Sequence, residues 1–170
     1  MTSLFLHPPY AEDQPSSHAI LYLHITRATA MTASFASLIS APTSLFVSRY
    51  RYSTPMNLTN LTPRLLTHAS RGLAIGTALG IAMTWSRMRG RDEIEWQDRA
   101  WRLLENGGEK ETDWWVLGGA ATGAVVGLAG VMRGKIPVGV GKSILGGAGV
   151  GMGVGVPYMV STYARGRKPA

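Results

Sequence analysis

Long uncharged stretches alternate with short charged ones along the second half of this chain. Trp114 to Met132 is 19 residues without a charge, and Ser143 to Ala164 is 22, closed by Arg165, Arg167 and Lys168. As helices, both reach the length needed to cross a hydrocarbon layer about 30 Å thick. Trp114 and Trp115 at one end of the first, with Arg133 and Lys135 beyond the other, stand where interfacial anchors stand. A third stretch, Gly72 to Ser86, has 15 uncharged residues, or about 22 Å of helix. Within residues 65–86, Arg71 can snorkel and Trp85 can sit at an interface. The plainer alternative for this segment is a helix lying on the membrane. The pattern therefore predicts an all-α membrane protein with two or three transmembrane helices, at 65–86, 114–132 and 143–164. The basic loop 133–142 between the last two is short and contains Pro137, so those two are expected as an antiparallel hairpin.

Residues 87–113 break the apolar pattern. They hold eight of the chain's ten acidic residues. Asp92 to Glu105 reads as a short amphipathic helix, with acids favouring its start and Asn106-Gly107-Gly108 stopping it. Ile94, Trp101 and Leu104 share a face, with Trp96, Ala100 and Leu103 beside them. Such a helix rests on the membrane or on the bundle; a sharper reading makes Trp96 and Trp101 anchors for a partner subunit.

Glycine recurs at every fourth position inside the apolar stretches: Gly72, Gly76, Gly80; Gly119, Gly123, Gly127; Gly147, Gly151, Gly155. A four-residue step returns to nearly one helix face. Each stretch, as helix, would carry a groove free of side chains. In water an interior glycine costs about 1 kcal/mol relative to alanine, whereas in lipid such grooves let backbones pack closely. Gly123 and Gly151 are central in their rows. Gly149 and Gly153 alternate with the last row, giving that helix a second smooth face. Alternation would suit a strand, but a lone strand leaves its backbone groups unpaired in lipid, so helix is favoured there. Whether the rows pack within one chain or between chains stays open.

Composition changes the picture at the N-terminus. The net charge is +7, and between Asp13 and Asp92 there are eight arginines, no lysine and no acidic residue. An Arg-rich, Ser-rich, acid-poor segment has the character of a mitochondrial transit peptide, drawn inward by a negative-inside potential worth about 2.3 kcal/mol per charge per 100 mV. Residues 1–52 are therefore expected as a transit peptide or disordered leader, cut after Tyr52, with 53–64 a linker and 165–170 a basic tail. Translation could also begin at Met31 or Met56. A secretory reading competes through the glycosylation sequons at Asn57 and Asn60. With presequence removal and three spans, the acidic loop faces the intermembrane space and the basic loop the matrix, as the positive-inside tendency prefers.

Catalytic chemistry is not encoded in any recognisable arrangement. There is no cysteine, hence no disulfide or thiolate chemistry. Gly141-Lys142-Ser143 matches the end of a phosphate-binding loop, but Ile136 stands where the pattern needs glycine. The four histidines, His7, His18, His24 and His68, lie in or just after the leader. No ionisable group falls inside the three expected spans away from their ends, so no proton relay is predicted. No catalytic residue, metal ligand, cofactor, nucleic acid or small-molecule substrate is expected; the partners expected are membrane lipid and further copies or other inner-membrane proteins.

The alternating glycines from Gly147 to Gly155, in a hairpin closed by a basic loop, resemble the smallest, crista-junction type of MICOS hairpin subunit. That resemblance covers 114–164 and implies oligomerisation through glycine motifs in the mitochondrial inner membrane. The third span and the tryptophan-bearing acidic loop depart from it. The glycine-rich spans are also similar to those of the presequence and carrier translocases, which have four, and to small accessory membrane subunits of respiratory complex I. The expectation is a non-enzymatic inner-membrane scaffold or accessory subunit, the alternative a component of a translocase or permeation path.

Overall fold

The computed structural model describes residues 4–166, and every regular element among them is helical. A short 3-10 turn, Ala11–Asp13, precedes six α-helices: α1 Ser17–Tyr52, α2 Leu58–Met88, α3 Glu93–Glu105, α4 Gly107–Met132, α5 Val140–Gly153 and α6 Gly155–Ala164.

Local chemistry accounts for the boundaries. α1 ends at Ser53, whose φ of 55° is left-handed and whose N–H returns to the Arg49 carbonyl, an αL stop. Pro55 follows and cannot continue a helix. α2 restarts on Asn57, whose side chain accepts from the Asn60 N–H at 2.9 Å, an N-cap. Asn106 both ends α3 and begins α4, accepting from Gly108 and Glu109 N–H groups at 3.0 and 3.3 Å. α5 and α6 are one rod broken at Val154, because Pro157 has no N–H for the Gly153 carbonyl and its ring crowds that group.

α1 and α2 form one antiparallel hairpin, α4 and α5 another, and the two join mainly along α2 and α5. The α3 helix crosses one end. There, Ile20, Leu21, Met88, Trp96, Ala100 and Leu104 form a core of large side chains. Elsewhere many buried positions are small, Ala30, Ala41, Ala69, Ser34, Ser37 and glycines, with Met31, Leu45, Leu66 and Val116 among them. The large apolar residues of the rods point outward, among them Ile39, Phe46, Ile75, Leu79, Val125 and Val126. The share of glycine, alanine and serine in the interior is higher than in the ordinary arrangement, in which Ile, Val, Leu and Phe dominate it.

Three rods are long and apolar enough to cross a membrane: α1, α4 and α5–α6 taken together as Val140–Ala164. The third is therefore α1, whereas the sequence pattern pointed to 65–86, which belongs to α2. Within the leader expected over 1–52, residues 17–52 form a 36-residue helix where a disordered leader was one alternative. Serine content, with arginine and the lack of acids, gives this region the character of a transit peptide. In α1 these hydroxyls return to their own helix, Thr29 Oγ1 to Ile25 O at 2.8 Å, Thr32 Oγ1 to Ala28 O at 2.9 Å and Thr43 Oγ1 to Ile39 O at 2.9 Å. Such back-bonding removes their need for water. The 53–64 linker is likewise shortened to a five-residue turn before α2. The loop 87–113 is α3 plus the first two turns of α4, so the rod containing 114–132 begins at Gly107. Glu109 in that first turn suits the positive helix end. Of the basic tail, Arg165 and Gly166 follow α6, and 167–170 lie outside the described residues.

Candidate functional site

The glycine rows meet other backbones within the chain. A Cβ built on Gly119, Gly123 or Gly127 of α4 would collide with the carbonyl oxygens of Gly151, Gly147 and Ser143 of α5. The clash is reciprocal, since a Cβ on Gly147 or Gly151 would strike the Gly123 or Gly119 carbonyl. Ser143 Oγ donates to the Gly127 carbonyl at 2.8 Å across this contact. Gly155, last of its row, is filled by Val116 and Met31 side chains. The second smooth face of α5 lies on α2: a Cβ on Gly149 would be 2.7 Å from the Ala69 carbonyl oxygen, and Gly146 is closed off by Leu66. By contrast, Gly118 and Gly141 face open space.

The α2 row packs on α1. A Cβ on Gly72 would be 2.7 Å from Ala33 O, on Gly76 2.6 Å from Thr29 O, and on Gly80 2.5 Å from Thr26 Cα. Reading 17–52 as a leader hid this partner. The signal was present: Thr26, Ala30, Ala33, Ser37 and Ala41 repeat at three- and four-residue steps, a small-residue face complementary to glycine.

An ionic cluster joins α1 to α4. Arg27 Nη2 donates to Glu109 Oε2 in a short contact, and Arg27 Nε lies 2.8 Å from Asp113 Oδ1. The second approach is an ion pair without the alignment of a straight hydrogen bond. His24 Nδ1 is 3.2 Å from Arg27 Nη2 and 3.6 Å from Glu109 Oε2. The Arg27 and Asp113 side chains are each 2 % exposed, so their charges are held by each other and not by water. Arg27 lies outside the three spans expected from sequence, in α1, which is itself apolar enough to cross. Arginine in α1 and acids one turn into α4 are far apart in sequence, and no local pattern couples them. Tyr158 of α6 donates to Glu111 at 2.9 Å and its ring lies 4.9 Å from that of Trp115, tying α6 to the same end of α4.

Both tryptophans expected as partner anchors contact their own chain. Trp96 is buried and stacks on His18, ring centroids 3.8 Å apart. Trp101 Nε1 donates to the Pro8 carbonyl at 2.9 Å. Ser17 Oγ donates to Glu93 Oε1 at 2.8 Å, and His18 Nε2 is 2.8 Å from Glu93 Oε2. The His18 contact and then the Ser17 bond hold the Glu93 carboxyl below its ordinary value. Thus α3 clamps the N-terminal segment against the bundle. Trp114 and Trp115 remain outside, at one end of an apolar groove of about 580 Å³ between α4 and α5 that reaches Val126 and Val154.

These parts fit helix assembly. No curated protein matches the chain. A family model covers residues 11–159, from the 3-10 turn through α1 to the middle of α6, and so includes the leader-like region as well as both hairpins. On that match the chain belongs to a family of proteins of unknown function, DUF1757.

Proposed function

We propose that this protein is a non-enzymatic, multi-pass scaffold or accessory subunit of the mitochondrial inner membrane, built by glycine-mediated helix packing. One observation carries the membrane part of this reading. Glycine, alanine and serine line the closest helix–helix contacts, while many large apolar residues of the rods face outward. In lipid, helix association gains little from burying apolar surface and depends on close van der Waals packing. The arginine-rich, acid-free stretch from 14 to 91 supports import toward a negative compartment. The contacts of α1 with α2 and α4 support its retention in the mature protein.

The outward face of α4, with Trp114, Gly118, Thr122 and Val125 uncovered, supports contact with other membrane proteins. Fractionation of mitochondria with alkaline carbonate tests the reading: the full-length chain should stay in the inner-membrane pellet. Release into the supernatant overturns the membrane role, and recovery in another organelle overturns the location.

A further inference from the structure

The helix contacts gather every acidic residue of the chain at one end. Gly72 and Gly80 of α2 meet Ala33 and Thr26 of α1, so those two run antiparallel. Gly119 and Gly127 meet Gly151 and Ser143, so α4 and α5 do too, while Gly146 and Gly149 on Leu66 and Ala69 set α5 parallel to α2. One end of the bundle therefore gathers Ser17, Met88, Gly107 and Ala164. The other gathers Tyr52, Leu58, Met132 and Val140.

All ten acidic residues lie in 12–13 or 92–113, at the first end, where the 3-10 turn packs on α3. Ion pairs from Arg27, Arg91, Arg102, His18 and His24 are there as well, so basic and acidic groups are mixed at this end. The second end carries Arg49, Arg51, Arg133, Lys135 and Lys142, all exposed, with no acidic residue within reach in either turn. Exposed apolar side chains are interleaved with them: Phe46, Tyr50, Tyr52, Met132 and Val140.

We infer that this basic end binds the phosphates of anionic phospholipid headgroups. The inference rests on the membrane-embedded reading above. Cations mixed with tyrosines at the tips of apolar rods match the headgroup level, where aromatic rings and basic side chains both find partners. A nucleic acid or an acidic peptide would leave Phe46, Met132 and Val140 facing water. The geometry also fixes orientation, with both basic turns on the side of the more anionic leaflet.

The test uses the full-length chain reconstituted in phosphatidylcholine vesicles containing a minority of phosphatidylglycerol. Flotation is measured first, then the phospholipids that stay bound after mild detergent extraction, by native mass spectrometry. Wild type should retain the anionic lipid in excess of its share. The R49Q/R51Q/K135Q variant should lose that excess by about tenfold or more, given roughly a factor of five per basic residue. An R87Q/R89Q variant at the acidic end should keep it. Equal retention by both variants, or no excess in wild type that floats, overturns the inference while leaving the membrane reading intact. Displacement of the lipid by millimolar inorganic phosphate overturns it in favour of a free-anion site. Failure to float overturns both readings.

Discussion

At the scale of single residues, the α1–α4 contact depends on Arg27. Its guanidinium serves Glu109 and Asp113 at once. Burial of such a group is tolerated only while the partners remain, and removing one member of a buried pair costs about 3–5 kcal/mol. Replacing Arg27 by Leu is therefore expected to lower the thermal midpoint in detergent sharply. The R27L/E109Q/D113N triple variant should recover part of the loss, because no lone charge is then left behind. A triple variant no more stable than R27L would show that the pairing is incidental. Glu93 gives a second expectation. Its carboxyl is held below the ordinary range by His18 and Ser17, so the folded state binds its proton less readily than the unfolded one. The resulting stabilisation is complete above the ordinary carboxylate range and is lost as pH falls through the lowered value. Docking of α3, followed by near-ultraviolet dichroism of Trp96, should weaken in that acid window in wild type, and the Glu93→Gln variant should show a flatter profile.

Elements are held by contact of backbones, and neighbouring glycines separate this from simple propensity. Gly118 faces open space, whereas Gly119 lies on the Gly151 carbonyl. Alanine at 118 should be neutral or stabilise α4 by about 1 kcal/mol through helix propensity. Alanine at 119 should destabilise, and Gly123→Leu or Gly151→Leu should drive α4 and α5 apart. Melting in detergent compares the alanine pair, and a native gel reports whether the leucine variants lose their complex while remaining inserted. If Gly118→Ala and Gly119→Ala behave alike, the α4–α5 contact is not what fixes these glycines. The break at Val154 is a local matter of Pro157, so Pro157→Ala should raise helix content without altering the Gly119–Gly151 contact.

For the molecule as a whole, the number of crossings decides the topology. α2 is less apolar than the three rods that could span by composition, yet it lies along α1 through its entire glycine row. Spanning together, α1, α2, α4 and α5–α6 place the N- and C-terminal ends on one side, with α3, and both basic turns on the other. Tags at the two termini should therefore share accessibility to added protease in sealed membranes, opposite to tags after Ser53 and Gly134. Terminal tags on opposite sides would mean that α2 does not cross with its partner.

The uncharged runs and four-residue glycine steps were enough to establish an all-helical chain with a hairpin at 114–164, because length, period and short loops depend only on neighbouring residues. The same locality made the Asp92–Glu105 helix and its stop at Asn106 readable. Sequence alone left open which helix lies on which glycine row. It did not show α1 as a long helix packed on α2, since serines and threonines that bond their own carbonyls look the same on paper as those that bond water. The pairing of Arg27 with Glu109 and Asp113, the enclosure of Trp96 and Trp101, and the gathering of all acidic residues at one end join residues tens of positions apart. Only the packing of one hairpin against another brings such groups together, so only the tertiary structure could decide them.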